Sequence, residues 1–162
     1  MILLNERYAS KLKRVIDLST RRLYISQFKI DVAGVRGKGI VSELLNLIAK
    51  KSAEGVDVRV ILDCILPLRG RAANNAGVAI WLMARGIGVR YLPRNRCQHS
   101  KVVVADGYHL IIGSHNWSRN SLTRNDECSI YLYDAKLAGE MEANFLNTYD
   151  GACEFGGRMI PV

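Results

Sequence analysis

A chain of 162 residues with an apolar fraction of 49% can bury one sizeable core, and that composition argues against a disordered chain. The 23 basic and 15 acidic residues leave a formal net charge of +8, which favours polyanionic partners: nucleic acid or an anionic membrane surface. No stretch is long enough to span a bilayer, and Met-Ile-Leu-Leu runs straight into Asn5, Glu6 and Arg7, so no secretory signal is read. Cys64, Cys97, Cys128 and Cys153 lack the short paired spacing of a zinc or redox motif. They read as reduced thiols of a cytoplasmic protein.

Residues 6–19 place Tyr8, Leu12, Val15, Ile16 and Leu18 near helical spacing. Arg22–Ile30 reads as a strand. Gly37 to Gly39 opens a helix with Ile40, Leu44, Leu47 and Ile48 on one face, ended by Gly55. Val56–Leu62 is a β-branched, buried strand. Residues 63–73 form a loop, Asn74–Arg85 a helix, and Val89–Leu92 a short strand. Further on, Val102–Ala105 and Tyr108–Ile112 flank Asp106-Gly107, and an Asp-Gly pair between two β-rich runs signals a hairpin. Cys128–Tyr133 is another strand. Asp134 caps a last helix whose Leu137, Met141, Ala143, Phe145 and Leu146 are expected to face inward. The reading is a single α/β domain over residues 1–150, a mixed central β-sheet flanked by helices in layers, with a glycine-rich, loosely ordered tail over 151–162.

The chemistry concentrates in His99-Ser100-Lys101, Asp106, and Gly113-Ser114-His115-Asn116. Residues two apart on a strand share a face, so an imidazole able to attack phosphorus and an ammonium able to neutralise its oxygens project together. The second hairpin strand ends at Gly113-Ser114, which brings Ser114 and Asn116 beside His99. Lys101, Ser114 and Asn116 can all donate hydrogen bonds to an oxyanion. Asp106 lies five strand residues away, roughly 16 Å at about 3.3 Å per residue, and is expected to serve the turn and not the phosphate. A histidine nucleophile needs one ring nitrogen held protonated by a carboxylate, and Glu127 is the candidate.

Written out, His-x-Lys-x4-Asp-x6-Gly-Ser-x-Asn resembles the HKD signature of the phospholipase D superfamily, with Gly113 and Asp106 as its structural positions. Glu127 matches that family's downstream Asn-x-Glu. The order of helices and strands over residues 6–150 is also similar to the family's catalytic domain. The resemblance implies phosphodiester cleavage through a phosphohistidine, with no metal and no cofactor. On that reading His99 is nucleophile or acid, Lys101 and Asn116 hold the phosphate, Ser114 supports them, and Glu127 orients His99. Most members carry two motifs; this chain has one. Single-motif members, among them small bacterial endonucleases and the mitochondrial cardiolipin hydrolase group, form twofold dimers around one shared site. The expectation is therefore a homodimeric endonuclease acting on DNA or RNA. A phosphatidyl or cardiolipin hydrolase working on membrane lipid is the first alternative, and a nuclease-like nucleic-acid-binding module the second.

Other residues have two readings each. Cys97 beside His99 invites a metal, but no further ligands follow it. Trp117 either stacks on a base or lipid, or packs a wall. Arg119 and Arg124, and the Arg69-Gly70-Arg71 loop, either meet a nucleic-acid backbone or solvate loops. His115 is expected to point away from the cleft to surface or packing, and His109 to be structural.

Overall fold

The computed structural model describes residues 1–31, 33–63, 74–93 and 96–154. Ile2–Leu4 forms a short strand, β1, and Glu6–Leu18 the first helix, α1. Arg22–Gln27 is β2, Ala33–Arg36 a single helical turn α2, Ile40–Ala53 helix α3 and Asp57–Leu62 strand β3. Asn74–Met83 (α4) leads to Gly88–Tyr91 (β4). The hairpin strands are Val102–Ala105 (β5) and His109–Gly113 (β6), followed by Arg119–Thr123 (α5), Cys128–Tyr133 (β7), Ala135–Asp150 (α6) and Cys153–Glu154 (β8). The strands make one mixed sheet in the order β1-β7-β6-β5-β2-β3-β4-β8. Only β2, β3 and β4 run parallel; every other pairing is antiparallel.

Alternation along the strands sorts the core into two layers. Leu23 and Ile25 of β2, Val58 and Val60 of β3, and Val103 of β5 face one way and bury Leu12, Val15 and Ile16 of α1 with Leu44, Leu45 and Ile48 of α3. Tyr24, Ile61, Val102 and Val104 face the other way, onto Ala138, Phe145 and Tyr149 of α6. This is the expected layered α/β domain, with two differences of inward face. In α6, Ala138, Phe145 and Tyr149 share the buried stripe set by 3.6 residues per turn, whereas Leu137 and Ala143 fall off it and are exposed. The strand expected over Arg22–Ile30 stops at Gln27, because beyond it the backbone turns to bridge Trp117: Lys29 O accepts from Trp117 N at 3.0 Å and Asp31 N donates to Trp117 O at 2.9 Å. The tail does not begin loose. Cys153 and Glu154 pair with Tyr91 and Arg90 at the sheet edge.

The hairpin forms where Asp106-Gly107 announced it, and both residues take positive φ, 55° and 76°. The turn holds one residue more than expected, since Ala105 pairs with His109 and Tyr108 stays in the loop. Asp106 serves donors outside its own turn. Its carboxylate accepts from the backbone N–H groups of Thr20 (2.9 Å), Arg21 (2.9 Å) and Arg22 (3.0 Å) and from the Thr20 hydroxyl (3.1 Å). At the opposite end, Gly113 N donates to Lys101 O at 3.2 Å and Gly113 pairs with Ser129.

Two stability predictions follow from these ends. A Cβ on Gly113 would overlap Oγ and Cα of Ser129, and backbone cannot swing aside as a side-chain tip can. Gly113→Ala should lower stability in urea unfolding by about 1–3 kcal/mol; an unchanged midpoint would show that the strands part freely. Burial opposes ionisation of Asp106, but the hydrogen bonds from Arg22, Thr20 and Arg21 outweigh it and hold the carboxyl below its ordinary range. A depressed folded pKa contributes stability above the unfolded value, about 3.9, and that contribution disappears as pH falls through the folded value. The stability gap between wild type and Asp106→Asn should accordingly be full near neutrality and shrink below about pH 4. A gap independent of pH would contradict the role of this carboxylate.

Candidate active site

The carboxyl ends of β2 and β3 and the start of β5 meet at one edge of the sheet, the place where open α/β sheets leave a crevice. Asn75 of α4, itself buried, fastens this edge. Its amide Oδ1 accepts from Ile30 N at 3.0 Å, and its Nδ2 donates to Phe28 O at 2.8 Å and to Asp63 O at 2.9 Å. Asp63 in turn accepts from Gln98 N at 2.8 Å, which anchors the segment leading into His99.

β5 begins only at Val102, so His99 and Lys101, expected on a strand, lie instead in the segment leading into it, and both approach the ring of Phe28. The His99 ring meets Phe28 edge-on at 4.8 Å between centroids, and the Lys101 ammonium lies 5.0 Å from the centroid of the same ring. The two differ in surroundings. His99 is exposed, while Lys101 is only 6% exposed and donates to the His99 carbonyl at 2.6 Å. Burial lowers the Lys101 pKa, against the opposing pull of Cys97, Glu127 and Asp63. The result is an accessible imidazole and, two residues on, a cation held by the His99 carbonyl.

Ser114 follows Gly113 across from Lys101. Its hydroxyl donates to the Glu127 carboxylate and accepts from Cys128 N at 3.1 Å. Glu127 also accepts from Ser121 Oγ at 2.7 Å and Asn125 Nδ2 at 3.1 Å, and its backbone N–H donates to Asn5 Oδ1 at 2.9 Å. Burial pushes this carboxyl up, but hydrogen bonds from Ser114, Ser121 and Asn125 prevail and keep it below the ordinary range, hence ionised at neutral pH. Among the described residues, these three are the side chains that hydrogen-bond the Glu127 carboxylate; the pairing with His99 expected from the sequence is not among them. Asn116 is half-buried beside this cage. Its N–H donates to Ser121 Oγ at 2.9 Å, while its amide Oδ1 is buried and has no partner among the described residues.

Trp117 is not a substrate platform. It is 0% exposed and donates through Nε1 to Tyr8 OH at 3.1 Å, because the bridge to Lys29 and Asp31 draws it into the core. His115 is also wholly buried, stacked on Tyr8 at 4.1 Å and bonded through Nδ1 to Ser129 Oγ at 2.7 Å. Of its two open readings, packing is the one realised. Arg119 opens the short helix α5, Arg124 follows its end, and both are exposed. Arg69 and Arg71 lie outside the described residues. Phe28, Asn75, Ser121 and Asn5 were not singled out from the sequence. Asn5 alone carried a signal, as a polar residue ahead of a helix, and its positive φ of 47° lets it clamp Glu127 without capping α1. Among the described residues no group of three or more His, Cys, Asp or Glu side chains is arranged to hold a metal.

Residues 12–149 match the family described as cardiolipin synthase, phospholipase D-like domain. The chain is 30% identical over 144 residues to a mitochondrial cardiolipin hydrolase of Chlamydomonas reinhardtii, covering 87% of this chain and 58% of that protein. It is 29% identical over 120 residues to the human 5'-3' exonuclease PLD4, covering 71% of this chain and 22% of that one. The chain thus spans less than two thirds of either relative. The crystal structure of Nuc, a phospholipase D family member from Salmonella typhimurium, superimposes with a TM-score of 0.76 over 96% of this chain and 97% of Nuc, at 17% identity, a likeness of fold. With the match spanning most of the chain and the fold in agreement, the chain belongs to the phospholipase D-like domain family of phosphodiesterases.

Proposed function

We propose that this protein is a metal-independent endonuclease that hydrolyses nucleic-acid phosphodiesters through a phosphohistidine on His99, in a site shared by two copies of the chain. The observation that carries the reading is the exposed His99 imidazole beside the buried Lys101 ammonium. The net charge of +8 and the exonuclease relative favour nucleic acid as substrate.

A ring nitrogen of His99 attacks phosphorus, and the bond from phosphorus to the leaving sugar oxygen breaks. That oxygen takes a proton from a second imidazolium. The resulting neutral imidazole then removes a proton from water, whose oxygen attacks phosphorus and breaks the P–N bond, so the proton inventory is restored. Lys101 and Asn116 neutralise and hold the phosphate oxygens. Ser114, held by Glu127, supports them.

The second imidazole is the reason for the dimer. The chain has three histidines. His115 is sealed against Tyr8, and His109 stands at the turn end of the hairpin with its Nδ1 on Tyr131 OH at 2.9 Å. A twofold axis through the cleft supplies a second His99 and a second Lys101. The cardiolipin hydrolase relative favours one alternative, hydrolysis of phosphatidyl substrates. A pure binding module has no use for an exposed nucleophile beside a buried cation. Cleavage of single- and double-stranded DNA, RNA, and phosphatidylcholine or cardiolipin vesicles, all in excess EDTA, separates these readings.

His99→Ala should abolish hydrolysis by several orders of magnitude with the fold intact, and wild-type activity should persist in EDTA. Comparable turnover by the variant, or activity lost on chelation and restored by magnesium, would sink the mechanism. Light scattering should give about twice the 18.1 kDa chain mass. Mixing wild type with His99→Ala chains under subunit exchange should reduce activity more than dilution alone; strictly linear dilution despite proven exchange would refute the shared site.

A further inference from the structure

One surface feature is unused by the mechanism: a strip of cations and aromatic rings that starts near the site and ends at the opposite end of the sheet. Helix α1 spans the two ends. Asn5, just ahead of it, is tied to Glu127, and Thr20, just after it, donates to Asp106 at 2.9 Å. Its 13 residues cover about 20 Å at about 1.5 Å each. Arg7, Lys11 and Arg14 recur at helical spacing on one flank. Across the helix, Lys13 is paired with Glu43 of α3, but among the described residues none of these three joins an ion pair.

The flank leans on aromatic rings. The Lys11 ammonium lies 4.4 Å from the Tyr131 centroid. Burial and Tyr133 raise the Tyr131 pKa, while the positive charge of Arg14, about one helical turn on from Lys11, opposes them. The register that pairs His109 with Tyr133 and Ile111 with Tyr131 puts all these rings on the α1 face. His109 lies 6.0 Å from Tyr131 and 5.0 Å from Tyr133, and Tyr108, left over in the turn, stacks on Tyr133 at 6.1 Å. Tyr133 is 69% exposed and Tyr108 44%. Toward the site, Arg7 borders one open concavity with Arg124 and Asn125, and Asn125 donates to Glu127.

We infer that this strip is an accessory binding surface for single-stranded nucleic acid, holding the part of the strand that extends beyond the cleaved phosphodiester. The inference rests on the endonuclease reading for its substrate. Unpaired cations at helical spacing suit successive phosphates, and exposed rings suit unpaired bases, which alone offer a free face for stacking. A duplex would meet the cations and leave the rings idle.

The test measures binding by fluorescence anisotropy on the His99→Ala chain, with an oligothymidylate of about 20 nucleotides, a tetranucleotide, and a matched duplex. Tyr133→Ser should weaken the long single strand at least about fivefold, and the other two ligands less than about twofold. Lys11→Gln with Arg14→Gln should flatten the salt dependence for the long strand by about 0.7 in log–log slope per cation removed. In the His99 background, both sets of changes should leave hydrolysis of bis(4-nitrophenyl) phosphate at the wild-type rate. Unchanged affinity for the long strand overturns the inference, as does equal loss on all three ligands or loss of small-diester hydrolysis. Dependence on Tyr133 for binding phosphatidylglycerol vesicles but not oligonucleotide makes the strip a membrane surface, and likewise overturns it. If the wild type fails to hydrolyse the small diester, the enzymatic reading fails, while the binding comparison still decides the strip.

Discussion

The Asp106 carboxylate takes hydrogen bonds from three consecutive backbone N–H groups at the junction of α1 and β2, and so pins the turn of the β5–β6 hairpin to the end of the first helix. Much of the site depends on that fixed point. With the turn held, β5 runs back along β2, and Lys101 arrives where the first parallel strand ends. β6 returns alongside, so that Gly113 pairs with Ser129 and Ser114 reaches Glu127. A slip of one residue would exchange the faces of every side chain on these strands and carry Lys101 away from Phe28. A residue about 16 Å from the chemistry thus bears on it through register alone.

Beneath the catalytic edge lies a layer of polar groups set among apolar ones. Tyr8, His115, Trp117 and Ser129 interlock by stacking and hydrogen bonding, with Gln27 buried nearby. Burial raises the Tyr8 pKa and lowers that of His115, so both remain neutral near pH 7. The layer fixes the backbone on which Ser114 and Asn116 sit. Gly113 is the point of closest approach, because Ser129 occupies the space a side chain would need.

Charge is divided along the same line. The Lys101 ammonium is partly desolvated, and the Glu127 carboxylate is kept ionised by three side-chain donors. Water competes less for a buried ammonium than for a free one, so its attraction to any anion that reaches it is stronger.

Family and broad architecture were legible in the sequence. The hairpin that brings Gly113 against Lys101 is legible because an Asp-Gly turn between β-rich runs is a local rule, which acts over a few residues whatever the rest of the chain does. The long helices and buried strands are legible for the same reason. Tertiary structure decided what local rules cannot reach. Two- and three-residue strands such as β1 and β8 have too little pattern to read, and exist only because an edge was there to pair with. Trp117 was open between stacking and packing until a bridge to Lys29 and Asp31 buried it. The partners of Asp106 lie more than eighty positions away, and those of Glu127 include Asn5 at the other end of the chain. Periodicity describes a residue's face; its neighbour across that face depends on how separate elements close upon one another.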